Sequence, residues 1–401
     1  MGKTIRTSIF LMAVFAYPLA ANAVESQVSG STGDSSSTGF TDPLPAEPMP
    51  NVEVLPDTYP DTWIFAHDLN FNSLLDGKVL IVDVAADSRN FKGMVGAGMM
   101  GQFQPSRLRS ELYTGQTFLS RRTYGERSDL LIIFDKSTLQ PIDEILLPAK
   151  RQQVVTQPNS FQLTSDERIG LVMNFTPAAS VTVVDIPGRS VLGEIQIPGC
   201  NFVFSTGDRG FSTFCADGAM VTHLLNADGS VESTTRTEPF IDIAADPIFV
   251  KNAEVDGITY FPSFQGRIQP IDFSGSTPVV LDDWQIVPDE LESENWRPSG
   301  WQVIAASARE LFVVMQPNGE EGSHKSGGTE VWVLDPNAQS LARRILLPDS
   351  GLSITVTRSD PAYLVVTNEN MSLDVFDSQS GTHVRNISLG IGAFPFVLYA
   401  N

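Results

Sequence analysis

The chain of 401 residues is short of the residue types that build reactive or metal-binding sites. It has four histidines and two cysteines, with neither a His-Glu-x-x-His pair nor a Gly-x-Ser-x-Gly nucleophile elbow. Basic residues are also scarce, because 26 Lys and Arg stand against 47 Asp and Glu, a formal net charge of −21. Since binding to nucleic acid or to an anionic membrane needs a basic surface, neither partner is expected.

Long apolar runs are absent apart from one run near the start of the chain. A charged beginning is followed by an apolar core at residues 9–20 and then by Ala21-Asn22-Ala23. This order is typical of a secretory signal peptide, so residues 1–23 are predicted to be a leader that is cleaved after Ala23. The apolar run is shorter than a membrane span needs, and an uncleaved anchor is the alternative. The mature protein is therefore predicted to be exported.

Predicted export determines how the two cysteines are interpreted. In an oxidising compartment a pair of cysteines forms a disulfide by default, so Cys200 and Cys215 are predicted to be bonded. The chain-entropy model assigns a loop of this length about 3 kcal/mol of stabilisation. A redox-active or metal-binding pair usually has the closer Cys-x-x-Cys spacing. The sequence therefore predicts a structural disulfide.

Composition divides the remaining chain into an arm and a compact domain. Residues 24–60 are rich in Ser, Gly, Pro and Thr and offer little apolar surface to offset the entropy cost of ordering, so a flexible arm is predicted. Residues 61–401 are predicted to form one folded domain. That length is large for a single ordinary core unless the architecture is modular.

A sevenfold repeat in the compact domain predicts its fold. Each instance is a β-rich run that ends in Asp or Asn, followed by a turn of small and polar residues and a second β-rich run. The instances are Val79–Asp83, Leu131–Asp135, Val181–Asp185, Met220–Asn226, Ile268–Asp272, Val331–Asp335 and Leu373–Asp377. Spacings of roughly 40 to 60 residues between short strands are typical of propeller blades. We therefore predict an all-β fold, a seven-bladed β-propeller with a flexible N-terminal arm.

One glycine-rich stretch comes close to a phosphate-binding loop. Residues 322–329 read Gly-Ser-His-Lys-Ser-Gly-Gly-Thr, but Gly328 stands where the loop needs a lysine to reach the phosphates. A strand pattern follows where a helix N-terminus should cradle the anion. The stretch is therefore interpreted as a glycine-rich loop, and the residues alone indicate an exported acidic propeller that serves as a binding platform. A propeller hydrolase or lyase with its own carboxylate site is the alternative.

Several segments resemble one family, the large subunits of quinoprotein amine dehydrogenases, the aromatic amine type more than the methylamine type. The resemblance covers roughly residue 62 to the C-terminus and depends on the order and spacing of six segments. These are Pro317–Asp335, Arg127–Pro148 and Gly199–Val221, which includes both cysteines, with "DPIFV" at Asp246, "DFSG" at Asp272 and "NWRPSGWQVIA" at Asn295.

The resemblance implies a seven-bladed propeller within an α2β2 periplasmic enzyme. In this family the small subunit carries tryptophan tryptophylquinone and the catalytic base. The assembly oxidises a primary amine to an aldehyde and ammonia, then passes electrons to a small copper protein such as amicyanin or azurin. No catalytic residue, metal site or cofactor is then expected in this chain, which would support the small subunit and wall its substrate channel. An orphan propeller that acts only as a binding or scaffold protein is the alternative.

The resemblance also implies roles for three residues. The family has a Phe at the substrate channel in a Gly-x-Phe-x-Pro context, which Gly101 to Pro105 match, so Phe103 is the predicted channel residue; ordinary blade core is the alternative. His324 and Lys325 are predicted to anchor their loop or to contact the small subunit, with loop packing alone as the alternative.

Overall fold

The computed structural model describes residues 54–390 and 392–401, so the predicted leader and most of the predicted arm lie outside the described residues. The last residues of the segment predicted as an arm, from Val54 to Pro60, pack against the propeller. The backbone N–H of Leu55 donates to the carbonyl of Ser137 at 2.8 Å, and Tyr59 is buried. No helix in the described part of the chain is long and apolar enough to span a membrane.

The fold is an all-β propeller, and its first three sheets follow one another along the chain. The first sheet contains β1 (Trp63–Asp68), β2 (Lys78–Asp83) and β3 (Phe91–Gly96). The second contains β4 (Gln102–Pro105), β5 (Glu111–Leu119), β6 (Arg127–Asp135) and β7 (Pro141–Leu147). The third contains β8 (Phe161–Leu163), β9 (Ile169–Asn174), β10 (Ser180–Asp185) and β11 (Ser190–Gln196).

The second half of the chain forms three more sheets and completes the first. The fourth sheet contains β12 (Cys200–Thr206), β13 (Gly210–Cys215), β14 (Met220–Leu225) and β15 (Val231–Arg236). The fifth contains β16 (Ala253–Val255), β17 (Ile258–Pro262), β18 (Arg267–Asp272), β19 (Val279–Val280) and β20 (Trp284–Gln285). The eight-stranded sixth contains β21 (Arg297–Pro298), β22 (Ile304–Ala306), β23 (Leu311–Gln316), β24 (Gly328–Asp335), β25 (Ser340–Val356), β26 (Tyr363–Asn368), β27 (Leu373–Asp377) and β28 (His383–Ile387). Short 3₁₀ turns occupy Leu74–Asp76, Pro158–Ser160, Asp289–Glu294 and Ser323–Lys325.

The C-terminal strand closes the ring of sheets. This strand, β29 (Pro395–Ala400), pairs antiparallel with β1, with Ile64 opposite Ala400 and Phe65 opposite Tyr399. The first sheet therefore takes its inner strand from one end of the domain and its other strands from the opposite end. Closure of this kind leaves only short, protected sheet edges.

Strand direction gives the propeller two different faces. Successive strands of a sheet are antiparallel, and the chain then passes from the outer strand of one sheet to the inner strand of the next. The turns between second and third strands and the connections between sheets therefore lie on one face, which we call the connection face. The turns between first and second strands and between third and fourth strands lie on the opposite face, which we call the turn face.

The repeated Asp of the sequence marks the turn face. The runs that end in Asp are the third strands β2, β6, β10, β18, β24 and β27, and Asn226 directly follows β14. At Asp135, Oδ1 accepts hydrogen bonds from the backbone N–H groups of Ser137 and Thr138 at 3.0 and 2.8 Å. Asp335 accepts from the backbone N–H of Asn337 in the same way, at 2.9 Å. The prediction that the acid opens each turn by bonding its own backbone is confirmed at these positions.

The core lies between neighbouring sheets because most central strands bury both faces. Tyr113, Leu131 and Ile133 of the second sheet pack against Phe161 and Val172 of the third. Similar apolar clusters join the other sheets. Each such layer removes apolar surface from water, which stabilises the fold by about 25 cal/mol per Å² buried. Packing between sheets therefore fixes the positions of the connections that lie above it.

The predicted disulfide is present. Cys200 begins β12, Cys215 ends β13, and the two lie directly opposite each other with a sulfur–sulfur distance of 2.01 Å. Both cysteines are buried, so the bond staples the connection-face end of the fourth sheet. This agrees with a structural rather than a reactive pair.

Candidate functional site

The glycine-rich loop lies on the connection face, between β23 and β24. Gly322 and Gly327 have φ angles of 88° and 78°, a left-handed conformation that glycine adopts at little cost. At Gly328 a Cβ atom would meet the carbonyl of Met315. Three glycines are therefore required by backbone shape, without a bound phosphate.

His324 is held in this loop by aromatic neighbours. Its ring lies 6.2 Å from the ring of Phe249 and 5.8 Å from that of Phe264, centroid to centroid. Its carbonyl accepts a hydrogen bond from the backbone N–H of Gly300 at 2.9 Å. Burial, and then the charges of Lys325 and Lys251, lower the pKa of His324. The side chain therefore anchors the loop, while Lys325 beside it is exposed.

A row of aromatic rings, which we call the aromatic rim, lies on the same face. It consists of Phe71, Trp301, Phe394 and Phe396. Phe396 lies 5.4 Å from Trp301 and 5.5 Å from Phe71, centroid to centroid. The ammonium of Lys251 lies 4.4 Å from the Trp301 ring centroid, a cation–π contact. Burial lowers the pKa of Lys251 to about 8.

Large apolar side chains reach solvent on the loops and strand ends of the connection face. Phe175 and Tyr124 are 51% and 64% exposed in turns between second and third strands. The exposed apolar set on this face includes Phe71, Phe118, Tyr124, Val154, Phe175, Ile243 and, near the end of β7, Leu146. The turn face also exposes large apolar side chains, among them Phe91, Leu108, Ile142 and Val231. Single exposed apolar residues are ordinary, so exposure alone does not distinguish the two faces.

Phe103 lies in β4, next to its connection-face end, and is only 1% exposed. Its ring packs 5.2 Å from Phe65 and 5.1 Å from Tyr399 between the first two sheets. The structure therefore places Phe103 within the blade core, the alternative given above. A channel role stays a prediction.

The connection above Phe103 explains the glycine of its motif. Met99 and Met100 both have left-handed φ angles, 57° and 54°, which are costly for residues with a side chain. A Cβ at Gly101 would meet the carbonyl of Ala97. Gly101 is thus required for close backbone packing, whether or not Phe103 contacts a substrate.

Arg151 holds this connection in place and was not found from the sequence. Its guanidinium donates to the carbonyls of Met99 and Met100, both at 2.9 Å, and to the hydroxyl of Thr117 at 2.8 Å. Asp129 accepts from the backbone N–H of Arg151 at 2.8 Å. Burial lowers the pKa of Arg151 to about 10, so the side chain is charged at neutral pH. No sequence motif marks this residue, because Thr117, Met100 and Met99, which its guanidinium binds, lie 34 to 52 positions away.

His67 is another buried polar side chain near Phe103. Its ring centroid lies 6.4 Å from that of Phe103, and neither ring nitrogen has a hydrogen-bond partner among the described residues. Burial lowers the pKa of His67 to about 3, which keeps the imidazole neutral. The region below the Met99–Met100 connection is therefore polar in part.

Two tryptophans of this chain lie close together but form a structural unit. Trp296 and Trp332 are buried, with ring centroids 5.1 Å apart. Their indole N–H groups donate to Glu294 and Glu330, each at 2.8 Å. Arg344 lies over both rings. These contacts hold both side chains in the core between the fifth and sixth sheets. Among the described residues there is no group of three or more side chains suited to holding a metal ion.

The same fold occurs in solved structures of distant sequence. The chain is similar to dihydro-heme d1 dehydrogenase NirN, with a TM-score of 0.52, 14% identity, and coverage of 89% of this chain and 77% of that one. It is also similar to a functionally unknown protein from Desulfotomaculum acetoxidans, with a TM-score of 0.53, 11% identity, and coverage of 82% and 96%. At such identities the similarity shows the fold alone.

Sequence comparison gives the family. The chain is 26% identical over 325 residues to the methylamine dehydrogenase heavy chain of Methylophilus methylotrophus, covering 80% of this chain and 79% of that one. It is 27% identical over 289 residues to the heavy chain of Methylorubrum extorquens, covering 70% and 69%. A profile described as "Methylamine dehydrogenase heavy chain (MADH)" matches residues 74–399. The chain therefore belongs to the methylamine dehydrogenase heavy chain family.

Proposed function

We propose that this chain is the heavy subunit of a periplasmic amine dehydrogenase that oxidises primary amines to an aldehyde and ammonia. The observation that carries the proposal is the family match, which spans residues 74–399 and so nearly the whole propeller. Tryptophan tryptophylquinone and the catalytic base would belong to a small partner subunit, in an α2β2 assembly. A small copper protein would accept the electrons.

The proposal includes a count of seven blades. Five sheets have four or five strands, and the sixth has eight. In the sixth, the first part of β25 pairs with β24 and its last part pairs with β26, with irregular register around Gly351 in both pairings. We interpret the sixth sheet as two four-stranded blades that share this long strand, which gives seven in total.

The connection face is the proposed docking surface for the small subunit. It carries the exposed apolar set that includes Tyr124 and Phe175, and apolar anchors surrounded by polar groups are what stable interfaces use. The exposed Lys325 lies on the same face, in a loop whose shape His324 and the glycines fix. The place of this loop on the connection face is what supports a contact of His324 and Lys325 with the small subunit.

A channel role for Phe103 forms part of the same proposal. The ring lies beneath the connection that contains Met99 and Met100, so it would shape a channel through that connection rather than from an open surface. Arg151 would act as a positioning residue, because it holds the carbonyls of both methionines.

The amine is proposed only by class, a primary amine. The segments quoted above resemble the aromatic amine type more closely, whereas the curated relatives are named for methylamine. The informative panel therefore contains methylamine together with phenylethylamine and tryptamine. Turnover of each amine by the purified complex, measured as amine-dependent dye reduction, would decide among them.

The test of the assembly is co-expression of the full chain with a small subunit and its maturation proteins. We expect the two chains to co-elute, the complex to reduce dye with an amine, and the isolated heavy chain to show no quinone absorbance. Lys325→Glu and Phe175→Asp should each weaken association about tenfold or more. His324→Ala should weaken it if the loop meets the partner.

Ile142→Asp provides the matched control. Ile142 is 53% exposed at the turn-face start of the outer strand β7, so its substitution should leave association unchanged. Equal weakening by this control would remove the assignment of the face. A chain that never co-elutes with a small cysteine-rich subunit would instead be the orphan binding propeller considered above.

A further inference from the structure

The turn face contains a cavity that the proposed function does not use. Its volume is about 490 Å³, within the range of small-molecule sites. The cavity lies where the inner strands β4, β25 and β29 end, and residues 57–61 complete its wall. A larger cavity of about 1560 Å³ adjoins it and shares Arg107 and Arg358 as lining residues.

The lining of the smaller cavity reverses the charge balance of the protein. Its titratable side chains include four bases against the carboxylates of Asp57 and Asp61, in a chain where acids outnumber bases 47 to 26. The four bases are Arg107, Arg109, Lys136 and Arg358. Within residues 54–390 and 392–401, no carboxylate lies within 4.0 Å of the charged side-chain nitrogens of any of the four.

The loop that presents two of these arginines is rigidly held. Glu167 reaches across from the third sheet, accepts from the backbone N–H of Arg107 at 2.6 Å and also binds the hydroxyl of Ser106. That hydroxyl accepts from the backbone N–H of Arg109 at 2.7 Å, and the ammonium of Lys136 donates to the carbonyl of Ser106 at 2.6 Å. The loop is therefore preorganised, which lowers the entropy cost of binding a ligand.

Arg358 faces Arg107 from the opposite wall. Both arginines remain exposed to solvent. Partial desolvation, and then the charge of Arg107, lowers the pKa of Arg358, and Asp61 and Glu254 oppose this shift only in part. In addition, the Nε atom of Arg109 is buried without a hydrogen-bond partner among the described residues. A bound anion would reduce the repulsion between the two guanidinium groups. It would also supply an acceptor for the buried donor that lacks one.

We propose that this cavity binds a small organic anion through its phosphate or carboxylate groups, with Arg107 and Arg358 as the two forks that grip it. Guanidinium groups bind both oxyanions through paired hydrogen bonds, and a fixed fork gives directional recognition. Arg109, which is half-buried, and Lys136, which is buried, add positive charge beside them. The site lies on the face opposite the proposed subunit interface, so it is independent of that interface and of the amine reaction.

The experiment is isothermal titration calorimetry of the full chain with inorganic phosphate and, separately, with citrate, at constant ionic strength set by chloride. We expect one saturable site with a Kd below about 1 mM for at least one anion. Phosphate binding alone would indicate a phosphorylated ligand, and citrate binding alone a polycarboxylate. Arg107→Gln and Arg358→Gln should each raise that Kd about tenfold or more. Arg358→Lys, which keeps the charge but loses the fork, should raise it less.

Arg209→Gln is the matched control, because Arg209 is exposed in a turn between first and second strands on the same face but outside the cavity. It should bind like the unsubstituted chain. The proposal is overturned if neither anion binds below about 1 mM, or if Arg209→Gln weakens binding as much as Arg358→Gln. Circular dichroism and Tm of each variant identify any loss of folding. If Arg358→Gln is not folded, the Kd of Arg358→Lys decides whether this side chain binds the anion.

Discussion

The two faces of the propeller differ in how their loops are specified. On the turn face, the hairpins between third and fourth strands are short and are opened by a carboxylate that bonds its own backbone, as Asp135 does. On the connection face, segments 237–252 and 286–296 are long, and contacts to distant parts of the chain fix the loops. Arg151 binding Met99 and Met100 is one such contact, and His324 packing against Phe249 is another.

The difference separates turns whose shape is set by neighbouring residues from loops whose shape is set by tertiary contacts. Turns that a single acid can specify repeat with little change, so the turn face is regular. Loops that depend on packing between sheets can vary without loss of the repeat, because the strands beneath them hold the fold. In this chain the varied face also carries Tyr124 and Phe175, exposed in its turns between second and third strands, which fits its proposed use as the docking surface.

The largest effect is expected from Phe103→Ala, which tests the tertiary side of this contrast. The ring is 1% exposed and packs among Phe65, Tyr399 and the apolar residues of two sheets. Its removal should lower the free energy of unfolding by about 3–5 kcal/mol through lost burial and a cavity. Urea unfolding at equilibrium measures this change.

Phe118→Ala is the control for that experiment. Phe118 is 44% exposed near the connection-face end of β5, so its removal should cost under about 1 kcal/mol. A Phe103 variant of nearly unchanged stability but altered preference among amines would contradict core packing and support channel lining.

The next largest effect is expected from loss of the disulfide. Replacing both Cys200 and Cys215 by Ser releases a loop with a sequence separation of 15 residues, for which the chain-entropy model gives about 3 kcal/mol. Urea unfolding should show this loss in the double variant. Dithiothreitol should produce a similar loss in the unsubstituted protein and none in the variant; a reductant without effect on the unsubstituted protein would disprove the staple.

Much of the fold was predictable because short sequence patterns determine its strands and turns. Runs of alternating and β-branched residues ending in Asp predicted the third strands, and β2, β6 and β10 end at Asp83, Asp135 and Asp185 as expected. The disulfide followed from the predicted export and from the presence of two cysteines. The long β25, shared by two parts of the sixth sheet, was not expected, since no local signal marks a strand that changes partners.

The candidate site was less predictable because it is made by contacts between sheets. The glycine-rich loop was recognised as a loop, since its glycines are a local signal. Lys251 meets Trp301, and Arg151 meets Met99, only after the sheets have packed. The close backbone approach at Gly101 and the inward direction of Phe103 beneath it likewise depend on packing and were not predicted from the sequence.

The smallest effect is expected on the turn face, from Asp135→Ala. The carboxylate accepts from the backbone N–H groups of Ser137 and Thr138, but the residue is only partly buried, so solvent screening limits the cost to about 1 kcal/mol. Asp135→Asn should cost less, because the amide oxygen can still open the turn. Asp208→Ala is the control: its exposed side chain makes no hydrogen bond within residues 54–390 and 392–401, so the change should stay within about 0.5 kcal/mol.

The dependence on pH isolates the charge of Asp135. Hydrogen bonds from the Ser137 hydroxyl and then from the Thr138 backbone hold the pKa of Asp135 below its usual value. A lowered pKa in the folded state contributes stability that is fully present above the unfolded pKa of about 3.9 and is lost as pH falls through the lower folded pKa. The stability difference between the unsubstituted protein and Asp135→Asn should therefore shrink between pH 6 and pH 3, as Tm measurements can show. A difference that stays constant over that range would mean that shape alone, and not charge, specifies the regular face.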